Sequence, residues 1–287
     1  MKHSVKPVSI GAFVFLLTFS ASAFADGAPA GASATPRPSP VFPFALDPLA
    51  DAALLGGALA LYGGSLAVES KKPAPDQAAA NPNSIPFFDR LYPSAPSAAL
   101  STAGDDLALA SSALPLVLLF GRSGSEMFTL GVMYVETLGL AYGLDSLLKS
   151  AVVRYRPYAY STSTPADFSN SEITASFPSS HATLAFSAAV FTGYVFDEIN
   201  PDSNLRPWVW ASGLTVAAAV STLRIASGDH FLSDVVAGGA IGAASGFLVP
   251  FLHTRLRAIK TQPNDAISSV DLEPARGGIA LKLSLRP

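Results

Sequence analysis

The chain contains no cysteine. That excludes a disulfide, a thiolate metal site, a cysteine nucleophile and a lipoprotein-type lipid attachment, while leaving export open. Charge is also scarce. Acidic and basic residues make up 14% of the 287, far below the roughly one quarter usual in a soluble domain. With 49% apolar residues gathered in long Ala/Leu/Val/Gly runs, the composition points to a helical membrane protein. What charge there is nearly cancels, to a formal net −3, so a nucleic-acid partner held by bulk electrostatics is not expected. There are only four histidines, His3, His181, His230 and His253.

Residues 1–25 read as a secretory signal or N-terminal anchor. Lys2 and Lys6 precede an apolar middle, and Ala23-Phe24-Ala25 is a small-x-small cleavage site. Residues 26–46 are Ala/Pro-rich and read as an unstructured linker. Six apolar runs follow, over 52–68, 107–120, 127–148, 181–196, 208–223 and 231–252. They predict an all-α fold, a six-helix transmembrane bundle within a domain spanning 47–254. The stretch 85–99 reads as a short interfacial helix. Gly238, Gly242 and Gly246 repeat a small-x-x-x-small spacing, which predicts close packing of the last helix on a neighbour. A basic, polar tail over 255–287 ends in an alternation at 279–285 that suits a short strand. His253 is assigned to that tail and His3 to the signal.

The polar clusters fall at the ends of the apolar runs. Lys149 closes the third run, and Arg154, Arg156 and Pro157 follow. Pro178-Ser179-Ser180-His181 opens the fourth, where backbone N–H groups at a helix start form an anion site. Arg224 ends the fifth, and His230 and Asp234 open the sixth. In an up-and-down bundle all these ends lie on one face. Both histidines of the body thus meet three basic side chains and a helix N-terminus. Such a set suits phosphoryl transfer through a phosphohistidine. Lys149, Arg156 and Arg224, with the backbone of Ser179 and Ser180, bind the phosphate. His230 attacks phosphorus, Asp234 orients His230, and His181 serves as general acid and base. No cofactor or metal is expected, because the cations are side chains that repel a metal ion. Arg154 reads as a flanking or headgroup contact, Asp229 as a solvated or hydrogen-bonded neighbour, and Tyr155, Tyr158 and Tyr160 as interfacial aromatics.

These residues resemble the three-part signature of the type 2 phosphatidic acid phosphatase (PAP2) superfamily, which includes bacterial acid phosphatases and vanadium haloperoxidases. Lys149 with Arg156-Pro157, then Pro178-Ser179-Ser180-His181, then Arg224, His230 and Asp234 carry it. Two positions depart from the pattern: Ser180 stands where glycine is usual, and Leu223 where serine is usual. The resemblance implies a membrane phosphatase acting on lipid phosphate monoesters or diphosphates, with lipid substrate and bilayer as partners. The alternatives are an exported soluble acid phosphatase, a vanadate-dependent haloperoxidase and a non-catalytic membrane protein. A cleaved signal followed by three spans puts the site on the inner face, whereas the resemblance implies an outward, periplasmic site. The outward site is the expectation taken forward, with a soluble periplasmic protein as its alternative.

Overall fold

The computed structural model describes residues 41–76, 80–93, 95–161, 170–261, 269–275 and 278–284. The expected signal and most of the expected linker lie outside these residues. The last six linker positions do not hang free: Phe44 is buried at 2% exposure and, with Phe42, packs on the apolar core.

Among the described residues there are six α-helices: α1 Pro48–Glu69, α2 Ala98–Ser112, α3 Gly124–Ala151, α4 Ser180–Ile199, α5 Arg206–Ala226 and α6 Leu232–Thr261. Local chemistry sets several boundaries. Asp47 caps α1 by accepting from the N–H groups of Leu49 and Ala50, with Pro48 at the first helical position. Ser123 and Glu126 form a reciprocal capping box at the start of α3. Helix α3 ends at Ala151, where Val152 turns extended, five residues ahead of Pro157.

Three boundaries differ from expectation. Residues 85–99 are not a helix; Phe87–Asp89 forms one 3-10 turn, and α2 starts at Ala98 with Ser97 as its cap. That start brings Asp105 inside α2. Helix α6 runs on through Pro250 to Thr261, so His253 belongs to the bundle and is fully buried. The expected C-terminal strand is present as β2 Gly278–Ser284, paired antiparallel with β1 Ser269–Ala275, a partner that the sequence reading did not anticipate.

Helix α4 is the enclosed element. Most of its residues are buried, including Ala182, Ala185, Ala188, Phe191 and Val195. The glycine stripe of α6 lies against it. A Cβ at Gly238, Gly242 or Gly246 would stand 2.4, 2.2 or 2.6 Å from the carbonyl oxygens of Ser179, Thr183 and Ser187, respectively. Only glycine permits that approach. The outer helices present apolar side chains instead: Leu59, Phe128, Trp208 and Val236 are all more than 60% exposed. Five helical segments, all except α4, are long and apolar enough to cross a membrane.

One end of every helix reaches the same face. Lys72, just past α1, donates to the carbonyl of Lys149 near the end of α3. Lys149 in turn reaches the carbonyl of Pro178 before α4. The N–H of Ser179 bonds to the carbonyl of Asp234 in the first turn of α6. Arg224 near the end of α5 bonds Ser101 and Asp105 near the start of α2.

Candidate active site

The segment Ala175–His181 is the hub of this face. Upstream, the chain after α3 runs beside it: Arg154 N–H donates to Thr174 C=O, Arg156 N–H to Ile173 C=O, and Ser176 N–H to Arg154 C=O, at 2.8–3.1 Å. This ladder brings Arg154 and Arg156 alongside the start of α4.

His230 lies in the turn between α5 and α6. Gly228 permits that turn at φ 82°, a region that side chains with a Cβ avoid. The imidazole is 2% exposed, and its Nδ1 is 2.7 Å from the carbonyl oxygen of Ser176. A carbonyl can only accept, so Nδ1 carries the proton and Nε2 keeps its lone pair. Arg156 Nη1 stands 3.4 Å from Nε2. Burial, followed by the charges of Arg156, Lys149 and Arg224, holds His230 well below the ordinary histidine range. The neutral ring is therefore the resting form, as a nucleophile requires.

Asp234 was expected to hold His230 directly, yet its nearest oxygen is 3.8 Å from Nδ1. The carboxylate is fully buried and bound elsewhere. It accepts from the Ser176 hydroxyl (2.6 Å), the Phe231 N–H (2.8 Å) and Arg154. Asp234 thus positions the imidazole through Ser176, whose hydroxyl meets the carboxylate while its carbonyl meets the ring.

The Arg154 guanidinium is engaged inside the protein. It forms an ion pair with Asp234 and with Asp89, at 2.6 Å for the latter, and lies 4.7 Å above the Phe231 ring. Asp89 is 1% exposed and also accepts from the N–H and hydroxyl of Ser233. The sequence offers no signal for Asp89 beyond an acid in an aromatic stretch.

The phosphate-binding candidates gather around His230. Lys149 donates to the carbonyls of Ala175 (3.2 Å) and Pro178 (2.6 Å), which fixes its ammonium beside the α4 N-terminus. Arg156 is steadied by Glu172 through the backbone carbonyl and the carboxylate. Arg224 is 4% exposed and spans Asp105 (2.6 Å) and Asp229 (2.9 Å). Asp229 also accepts from Ser227, so it is a hydrogen-bonded neighbour of the site. Asp105 Oδ1 also meets His181 Nε2 at 2.8 Å, joining the second histidine to Arg224 through one carboxylate. Burial first, then Arg224, pushes His181 down to about 4 against the pull of Asp105.

At the α4 N-terminus the expected anion cradle is smaller than the sequence implied. The Ser179 N–H is taken by the Asp234 carbonyl. The first helical bond runs from Thr183 N–H to Ser179 C=O, which leaves the N–H groups of Ser180, His181 and Ala182 ahead of it. The Ser179 hydroxyl is buried without a partner among the described residues. Ser180, the first departure, turns its hydroxyl onto Asp145 Oδ2 at 2.6 Å, and Thr183 donates to the other oxygen at 3.1 Å. Leu223, the second, lies against α2 at Gly104.

Residues 130–258 match a family model described as the PAP2 superfamily. It contains every candidate site residue named from the sequence. No curated protein matches the chain. Among solved structures, a transmembrane PAP2 type phosphatidylglycerolphosphate phosphatase from Bacillus subtilis is similar, with 20% identity over 74% of this chain and 97% of that one, at a TM-score of 0.41.

Proposed function

We propose that this protein is a membrane phosphatase that hydrolyses lipid phosphate monoesters or diphosphates through a phosphohistidine, a reading supported by the PAP2 superfamily match over residues 130–258. The observation that carries the reading is His230. Its Nδ1 proton is committed to the Ser176 carbonyl, which leaves the lone pair on Nε2, where Arg156 Nη1 donates at 3.4 Å and a phosphate would have to take its place.

In the first step the Nε2 lone pair forms a bond to phosphorus, and the bond from phosphorus to the ester or bridging oxygen breaks. Lys149, Arg156 and Arg224 neutralise the non-bridging oxygens, aided by the N–H groups that open α4. A protonated His181 delivers its proton to the leaving oxygen. Asp105 can accept an N–H from that imidazolium, and the approaching phosphate charge favours the protonated form. In the second step His181 takes a proton from water, the water oxygen attacks phosphorus, and the P–N bond breaks to release phosphate and neutral His230. The exposed apolar flanks of the outer helices support a site at the headgroup plane of a bilayer, since soluble monomers rarely expose large contiguous apolar patches.

The test is phosphate release by the detergent-purified full chain from phosphatidate, phosphatidylglycerol phosphate, a polyprenyl diphosphate and a water-soluble phosphate monoester, with and without chelator. Chelator-resistant release from a lipid, lost in His230→Ala, is the expected result. Preference for the soluble ester moves the assignment to an acid phosphatase. Turnover in His230→Ala equal to wild type sinks the mechanism.

A further inference from the structure

Away from this face, three helices bring a second set of chemical groups together. Asp51 is in the first turn of α1, Glu136 lies midway along α3, and His253 is in the last third of α6. Thirteen residues of helix separate Glu136 from Lys149, roughly 20 Å of rise. One ligand atom from each of the three side chains lies within 4.8 Å of the others. His253 Nε2 is 2.9 Å from Glu136 Oε2 and 3.6 Å from Asp51 Oδ1.

Glu136 and His253 are both 0% exposed. Neither carboxylate oxygen of Glu136 and neither ring nitrogen of His253 has a hydrogen-bond partner among the described residues. The 2.9 Å approach is therefore close without the alignment of an N–H···O bond. No lysine or arginine among the described residues forms an ion pair with any of the three. A buried carboxylate left this way is costly, and structures normally neutralise it with a cation or with hydrogen bonds. Ligand atoms at about 2.0–2.2 Å from one ion stand roughly 2.9–3.6 Å apart in tetrahedral or octahedral geometry, which spans both measured separations. An imidazole with two carboxylates and no thiolate suits zinc and its divalent neighbours.

We propose that Asp51, Glu136 and His253 form a binding site for a divalent transition-metal ion that ties α1, α3 and α6 together. Asp51 is 15% exposed at its side chain, which gives the ion an entry from the start of α1. The site stands apart from the phosphate chemistry and does not depend on it.

The full chain, purified in detergent with its affinity tag removed, is stripped with EDTA, dialysed against zinc and freed of excess metal. Metal content is then read by plasma mass spectrometry. About one zinc per chain is expected in the wild type and in His230→Ala, with affinity lowered at least about tenfold in His253→Ala and Glu136→Gln. Cobalt in place of zinc is expected to show the intense visible bands of a low-symmetry nitrogen–oxygen site. No zinc retained by the wild type, or equal retention by the wild type and both folded variants, overturns the proposal in favour of a proton shared within the cluster. If both variants fail to fold, the wild-type cobalt spectrum decides. Low-symmetry bands uphold the site, and the weak spectrum of hydrated cobalt refutes it.

Discussion

Two fully buried carboxylates set the two ends of this bundle apart. Asp234, at the phosphate end, accepts from a serine hydroxyl, a backbone N–H and a guanidinium. Glu136, deeper in the bundle, accepts from nothing among the described residues and faces an imidazole and a second acid. At the first end Arg154, Arg156 and Arg224 each pair with at least one carboxylate. Side-chain cations thus surround His230 without being scattered by their own repulsion, an arrangement built for an anion. At the second, lone pairs converge with no positive side chain paired to them among the described residues, an arrangement that suits a cation. The same residue types suit opposite ligands when their partners differ.

The sharpest way to separate the ends is a pair of histidine variants. His230→Ala should lower kcat by about 10⁴-fold or more, as removal of a covalent nucleophile does. His253→Gln should stay within about threefold of wild type for phosphate release while losing bound zinc. Equal kinetic losses in both would show that the ends are one functional unit.

Next in size is Arg154→Gln. It strands Asp89 and Asp234, both buried carboxylates, and breaking such a pair costs about 3–5 kcal/mol. Thermal unfolding in detergent should fall by about 10 °C. A raised KM at unchanged Tm would instead return Arg154 to substrate contact.

Arg156→Gln probes how the cations tune the nucleophile. With one positive charge gone, protonation of His230 costs less and its pKa rises. The acid-side fall of kcat/KM should therefore begin at higher pH than in the wild type, where it lies below the ordinary histidine value of 6.5. An unmoved limb would place the titrating group elsewhere.

The smallest effect is expected for Ser180→Gly, which restores the usual glycine. It removes a hydroxyl bound to Asp145, so stability should drop by about 1–2 kcal/mol while activity stays within about threefold. A large gain in activity would show that the side chain obstructs phosphate after all.

Much of this site was legible because its residues terminate apolar runs. Lys149, Arg156, His181, Arg224 and His230 sit at helix ends, and counting ends in an up-and-down bundle puts them on one face. The glycine spacing in α6 likewise announced its seat on α4. The misses share a cause. Ser176 acts partly through its carbonyl, which every residue owns. The partnerships of Asp89 with Arg154 and of Asp105 with both Arg224 and His181 join residues 65 to 119 positions apart. His253 was read as tail because basic residues follow it, yet helical periodicity carries α6 past them.

The sequence by itself determined that the chain forms apolar helices with a PAP2-like set of charged residues and histidines at their ends, since composition, run length and the order of charged residues are local properties. Only the tertiary structure decided which partner each charge has. It put Ser176 between Asp234 and His230, turned Ser180 towards Asp145, and drew Asp51, Glu136 and His253 from three helices to one point. The strength and sign of an electrostatic site depend on distances across the fold, and those distances exist only once the helices have packed.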